Sequence, residues 1–339
     1  MLSRKWVSGV LRSVVISVLL VSGCATDADA TPATEAFNQG VDLQARHDYK
    51  GAITALNKAI SLDPENPWAY VSRGNCYGEL RQYQRAIEDF TKAISFDPAS
   101  AKAYCNRGVV YEAMGERHKA IEDYTKAISL DPSYERAYSN RGIAYVGLKE
   151  YQKGIDDSSK AMSFDPNDAP AWSNRGFAYA SMGQYQRALP DCNKAISLDP
   201  RNAVARINRS AIYVMLKQYQ KALDDCNAAI KLDPSLASAY ENRAEACIYL
   251  KQYRKAVDDS TKAVSLDPKS PDAYVSRGWA HHELGAYKEA IDDHTQAITL
   301  DPKLAEAFYR RGASYEKLGK MDLAKEDRDK AKELGYKPE

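Results

Sequence analysis

Ala59-Ile60-Ser61-Leu62-Asp63-Pro64 returns as Ala93-Ile94-Ser95-Phe96-Asp97-Pro98 and again as Ala127-Ile128-Ser129-Leu130-Asp131-Pro132. The Asp-Pro pair recurs at 63–64, 97–98, 131–132, 165–166, 199–200, 233–234, 267–268 and 301–302, always 34 residues apart. A fixed period of this length marks a solenoid built from one supersecondary unit. Proline disfavours helical geometry in the residue before it, so each pair stops a helix. With proline at position 32 the chain divides into nine units: 33–66, 67–100, 101–134, 135–168, 169–202, 203–236, 237–270, 271–304 and 305–338.

Each unit reads as two helices. Position 8 is Gly in seven units, with Ser210 and Ala244 in the other two; position 20 is Ala except for Gly154; position 27 is Ala in all nine. Small residues there let two antiparallel backbones approach closely. Large residues fall at positions 4, 11, 17 and 24, one face per helix. In the last unit, positions 21 and 28 become Lys325 and Lys332, with Arg328 at 24. That polar face is expected of a capping helix that closes an array.

This pattern resembles the tetratricopeptide repeat family, with its aromatic at 4, Gly at 8, Tyr at 11, Ala at 20 and 27 and Pro at 32. The resemblance covers 306 of the 339 residues. It implies an all-α, right-handed superhelical solenoid of nine helix-turn-helix repeats, first helices lining the concave side. For function it implies protein or peptide binding.

The composition fits this frame. Net charge is +1, so no strong field favours nucleic acid or anionic lipid. There are 23 Tyr and only 6 Phe, and the framework positions 4, 11, 17 and 24 absorb most of the Tyr. Packing with a hydrogen-bonded hydroxyl accounts for them better than base stacking. Six Cys are too few for a disulfide scaffold, and no C-x-x-C appears, so buried reduced thiols are expected and no zinc site. A Cys226–Cys247 bridge is the weaker alternative. No metal site is expected at His281 and His294, and no cofactor motif appears.

Residues 1–23 carry Arg4, Lys5 and Arg12 and an apolar run from Ser13 to Val21, too short to span a bilayer. They read as a secretory signal. Val21-Ser22-Gly23-Cys24 resembles the bacterial lipobox, which implies cleavage before Cys24 and acylation of its thiol. An uncleaved anchor helix is the alternative. Residues 24–32 form a polar tether. Ala25 follows the cysteine where inner-membrane lipoproteins of enteric bacteria typically carry Asp. The expected location is therefore extracytoplasmic and membrane-anchored, on the periplasmic side of an outer membrane, with the inner membrane as the alternative.

Two polar ladders run through the units. Arg stands at position 7 and Asp at position 23 in units 2–9, and unit 1 lacks both. Joint presence and absence predict an ion pair within each unit, worth about 0–1 kcal/mol if exposed, rather than a basic ladder for an anion. Asn stands at position 6 in units 3–7: Asn106, Asn140, Asn174, Asn208 and Asn242. At about 100° per residue, positions 2, 5, 6, 9, 12 and 13 lie away from the packed face. An amide both donates and accepts, so such a ladder can hold the backbone of an extended peptide. Phe177, Ile207 and Met215 are expected to supply an apolar groove wall, with Lys102 and Arg136 near its start. Its far end is acidic, with Glu241, Glu245, Asp272, Glu283, Glu306 and Glu316 against Arg310 and Lys317.

Catalytic Ser-His-Asp, phosphate-loop and dinucleotide motifs are absent from the sequence. The reading is a non-enzymatic, envelope-anchored scaffold or adaptor that captures a protein or peptide segment, without nucleic acid or small-molecule substrate. The alternative is a structural or assembly lipoprotein acting through its convex face or by self-association.

Overall fold

The computed structural model of the chain describes residues 31–337. The signal segment and Cys24 lie outside the described residues. Among the described residues there are eighteen α-helices and no strand. The helices are α1 (Pro32–Ala45), α2 (Tyr49–Leu62), α3 (Pro67–Glu79), α4 (Tyr83–Phe96), α5 (Ala101–Ala113), α6 (Arg117–Leu130), α7 (Glu135–Gly147), α8 (Tyr151–Phe164) and α9 (Ala169–Ser181). They continue with α10 (Tyr185–Leu198), α11 (Ala203–Met215), α12 (Tyr219–Leu232), α13 (Ala237–Tyr249), α14 (Tyr253–Leu266), α15 (Pro271–Glu283), α16 (Tyr287–Leu300), α17 (Ala305–Lys317) and α18 (Met321–Glu333). Odd-numbered helices open the repeats and even-numbered ones close them.

The chain falls into two compact units, one ending at Asn174 and the other beginning at Arg175. Within each, the two helices of a repeat pack together, and a closing helix packs on the opening helix of the next repeat. The first unit holds apolar clusters around Leu56, Phe90 and Tyr124. The second holds clusters around Cys247, Ile207, Tyr240 and Val275.

The tight approach comes from complementary sizes at positions 8 and 24. A Cβ added to Gly40 would lie 2.6 Å from Leu56 Cγ, and one on Gly108 would lie 2.7 Å from Tyr124 Cε1. Where position 8 gains atoms, as Ser210 and Ala244, position 24 shrinks to Cys226 and Ser260, both fully buried. Position 3 adds an unanticipated contact: Ala69, Ala103, Ala137, Ala171, Ala205, Ala239, Ala273 and Ala307 are all completely buried.

The Asp-Pro corner is held twice. Asp Oδ1 accepts from the backbone N–H two residues on, as at Asp97, Asp131, Asp165, Asp199, Asp233, Asp267 and Asp301. The next opening helix then reaches back to the proline carbonyl: Tyr70 Oη donates to Pro64 O at 3.1 Å and Trp172 Nε1 to Pro166 O at 2.9 Å. These bonds give the position 4 hydroxyl or indole a partner, as buried aromatic polar groups require.

The turn inside each repeat passes through the left-handed region at position 15. Gly115, Gly183, Gly285 and Gly319 adopt it freely, but His47, Arg81, Lys149, Lys217 and Lys251 adopt it with φ between 57° and 65°. The bonds Gln82 N–H to Tyr77 O and Arg81 N–H to Gly78 O make this a Schellman termination.

Repeat 8 is built differently. Positions 11 and 24 are His281 and His294. His294 is completely buried against Gly278, and neither ring nitrogen has a hydrogen-bond partner. Burial pushes its pKa down from 6.5 to about 3, helped by the charge of Arg310. The five described cysteines are free and buried, and burial pushes the Cys192 and Cys226 thiols up to about 12. Such thiols carry almost no thiolate at neutral pH and behave as small apolar side chains.

Candidate functional site

The position 7 arginines are the first candidates to resolve, because exposed guanidinium groups in series would bind an anion. Each of the eight lies 2.6–2.8 Å from the position 23 aspartate of its own repeat. The contact is two-pronged: Arg107 Nε and Nη2 donate to the two Asp123 carboxylate oxygens at 2.8 Å each. In six of the eight the third donor goes to the closing helix of the preceding repeat. Nη1 of Arg73, Arg107, Arg141, Arg209, Arg243 and Arg311 donates to Asn57, Thr91, Thr125, Asn193, Asn227 and Thr295, all at position 25. Tyrosine rings at positions 4 and 11 flank the same guanidinium, as Tyr104 and Tyr111 do for Arg107.

These arginines therefore join three helices, and they are scaffold. They are also more buried than an exposed pair: aspartate side chains are 5–12% exposed and arginines 16–24%. The bonded carboxylate raises the Arg107 pKa, so the cation is held firmly. Removing one partner would leave a charge stranded in a poorly solvated site.

The position 6 asparagines occupy the boundary between successive opening helices. Asn106 Nδ2 donates to Asn75 Oδ1 at 3.0 Å, and Asn174 Nδ2 to Ser139 O at 3.2 Å. Asn242 Nδ2 donates to Ile207 O at 3.2 Å and Ser210 Oγ at 3.0 Å. Asn140 Nδ2 makes a longer contact to Cys105 Sγ at 3.7 Å. Asn208 is 1% exposed. The amide donors of four rungs thus join one repeat to the repeat before it. Burial raises the Cys105 thiol against the opposing influence of Arg136 and Asn140.

The expected apolar wall needs correction. Phe177 is completely buried, and Ile207 is 3% exposed, packed with Ala229 and Ala239. Val109, Val214 and Ile248 are likewise core. Within each compact unit the neighbouring repeat's helices cover these positions, a partner that a wheel drawn on one helix does not contain. Met215 remains half-buried at the end of α11. Lys102 is exposed on α5, and Arg136 is half-buried on α7.

The structure brings Asn106 and Arg136 together. They line one small, partly open crevice of about 10 Å³, room for a single water, with Asn75, Gly78 and Val109, drawn from the opening helices of repeats 2, 3 and 4. Asn75 was not anticipated. Its only sequence signal is an amide at position 9, where later repeats carry Val109, Ile143 and Phe177. Half-buried Asn106 and Arg136 give this crevice one amide and one guanidinium, groups that hydrogen-bond a peptide carbonyl or a carboxylate.

Profiles described as tetratricopeptide repeat match residues 101–134 and 169–202, 192–224, and 237–270 and 305–334. A profile described as TPR repeat matches 45–81, 74–115 and 278–319. Together they reach more than half of the chain. Among solved structures, a tetratricopeptide repeat protein from Parabacteroides merdae is 22% identical, covering 74% of this chain and 99% of that one with a TM-score of 0.60. MamA protein is 28% identical, covering 51% of this chain and 94% of that one with a TM-score of 0.44. YrrB, described as a TPR protein with an unusual peptide-binding site, is 27% identical, covering 55% and 96% with a TM-score of 0.40. No curated protein matches the chain. The period, the paired helices and these profiles agree, and the chain belongs to the tetratricopeptide repeat family.

Proposed function

We propose that this protein is a non-catalytic scaffold that holds an extended segment of a protein partner along its opening helices. The crevice on α3, α5 and α7 is the observation that supports this reading most. It sets half-buried Asn106 and Arg136 side by side from two successive repeats, with Asn75 buried behind Asn106, so a segment lying across these helices meets a polar group on each of the two. Asn106 uses its Nδ2 on Asn75, and its carbonyl oxygen takes no part in that bond. Apolar contact would supply affinity and the amides would fix the backbone.

The same proposal places the scaffold outside the cytoplasmic membrane, tethered through a lipid on Cys24. That part rests on the charged, short-cored signal ahead of the cysteine. A photoreactive residue placed at Arg136 or Met215 should crosslink a partner in intact cells, and one at Lys126 or Lys194 on closing helices should not. Adducts only from the closing helices would refute capture on the opening helices and favour the assembly reading. Cys24→Ala should release the protein from the membrane fraction.

A further inference from the structure

Three successive turns carry cations and no acid. In repeats 5–7 the turn and the start of the closing helix read Gly183-Gln184-Tyr185-Gln186-Arg187, Lys217-Gln218-Tyr219-Gln220-Lys221 and Lys251-Gln252-Tyr253-Arg254-Lys255. Arg187, Lys217, Lys221, Lys251, Arg254 and Lys255 are all exposed. Arg187, Lys221 and Lys255 donate to neutral groups, the side-chain carbonyls of Gln184, Gln218 and Gln252. Among the described residues none of the six forms an ion pair. Repeats 3 and 4 differ: Glu116 and Glu150 stand where these glutamines do, and they pair with Lys119 and Lys153. Asp224 and Asp258 lie one turn further along α12 and α14, and Glu283 stands beside Tyr253, so the edge keeps a positive excess. The net charge of +1 for the whole chain conceals it.

Two of these cations hold a strained place. Lys217 and Lys251 take φ of 57° and 58°, a left-handed region that Gly183 enters freely in repeat 5. Strain kept at an exposed turn points to a use for the side chain that stands there. Met182, 42% exposed, adds an apolar group to the same edge. Exposed cations around an apolar side chain are the composition of an interfacial membrane contact.

We propose that the turn edge of repeats 5–7 rests on an anionic phospholipid surface. Lys217, Lys251 and Arg254, which have no carboxylate to hold, meet the lipid phosphates, and Met182 enters the headgroup layer. The helices of these repeats then stand on the surface by their turns, with the Asp-Pro corners about 20 Å further away. The choice of lipid over an acidic protein rests on the tether proposed above, which keeps the chain at a membrane.

The test reconstitutes the full chain into vesicles of phosphatidylcholine, with or without phosphatidylglycerol, carrying a headgroup-linked quencher. A fluorophore is attached at Gln220→Cys, between Lys217 and Lys221, or at Ser235→Cys, beyond the far end of α12. The described native cysteines are buried, and the native chain labelled in parallel is the blank. At low salt, phosphatidylglycerol should raise quenching at Gln220 at least about twofold, leave Ser235 unchanged, and lose its effect in high salt. Changing Lys217→Gln, Lys251→Gln and Arg254→Gln together should abolish the rise. Lys217→Gly with Lys251→Gly should weaken it while raising the melting temperature, which separates lost binding from lost folding. Equal quenching at both positions in both vesicles, with the chain still floating with phosphatidylcholine, would overturn the lipid-facing edge and leave the tether standing. Flotation only with phosphatidylglycerol vesicles, with the Gln220 response intact, would support the edge and count against the tether. A polyglutamate peptide that changes the Gln220 signal where vesicles do not would overturn lipid in favour of an acidic partner.

Discussion

His294 should make repeat 8 acid-sensitive within a defined window. Its imidazole is completely buried with both nitrogens unpartnered. The groups that face it are Arg310, Arg311 and Glu306 on α17 and His282 on α15, with Asp293 beside it on α16 already holding Arg277 and His281. The folded pKa of about 3 lies below the ordinary 6.5, so the unfolded chain binds a proton that the folded chain refuses. Stability from this group is therefore complete above pH 6.5 and is lost as pH falls towards 3. One unit below 6.5 the unfolded imidazole is protonated about ten to one, a loss of about 1.4 kcal/mol relative to slightly alkaline pH. His294→Phe copies repeat 2, where Phe90 lies against Gly74, and it removes the titrating group. Urea titrations followed by Trp279 fluorescence, at about pH 7.5 and about pH 5.5, should show the native chain losing about 1.4 kcal/mol more than the variant. His282, which burial also shifts downwards, is present in both proteins and cancels to first order. Identical pH dependence in the two proteins would refute the argument.

Arg107→Ala strands Asp123 in a site where its side chain is 8% exposed, and should destabilise the chain by about 3 kcal/mol in denaturant unfolding. Gly108→Ala should cost about 1–3 kcal/mol by overpacking against Tyr124, and Tyr124→Ser in the same chain should recover part of it by recreating the Ala244–Ser260 pairing. Lys251→Gly, at φ 58°, should raise the melting temperature by relieving left-handed strain, with a net gain of about 0.5–1 kcal/mol after glycine's entropy. Asn242→Ala should lose about 1 kcal/mol of stability through its two bonds to repeat 6, whereas a purely ligand-facing side chain would leave unfolding unchanged.

The period and the joint appearance of Arg at 7 with Asp at 23 made the repeat and its ion pair legible, because both partners lie in one unit. The partner at position 25 was not legible. Asn57, Thr91 and Asn193 look like ordinary surface polar residues until the next repeat's arginine is placed against them. The left-handed turn at 15 was hidden for a related reason: Lys149, Lys217 and Lys251 carry no glycine signal. Asn174, Asn242 and Ile207 were assigned to an open wall on single-helix geometry, and neighbouring repeats claim them. The legible features are those within one unit, and the missed ones belong to the junctions between units.

The backward reach of six of the position 7 arginines has a consequence for how such an array changes length. The junction it makes asks only that the preceding repeat offer a small hydrogen-bonding side chain at position 25, and asparagine and threonine both serve. An internal repeat such as the third, copied in tandem, would arrive carrying both halves of that junction, its own Arg107 and its own acceptor Thr125. Insertion or loss of whole repeats then leaves no junction incompatible, and the span of the molecule becomes a quantity that gene duplication adjusts in steps of one repeat.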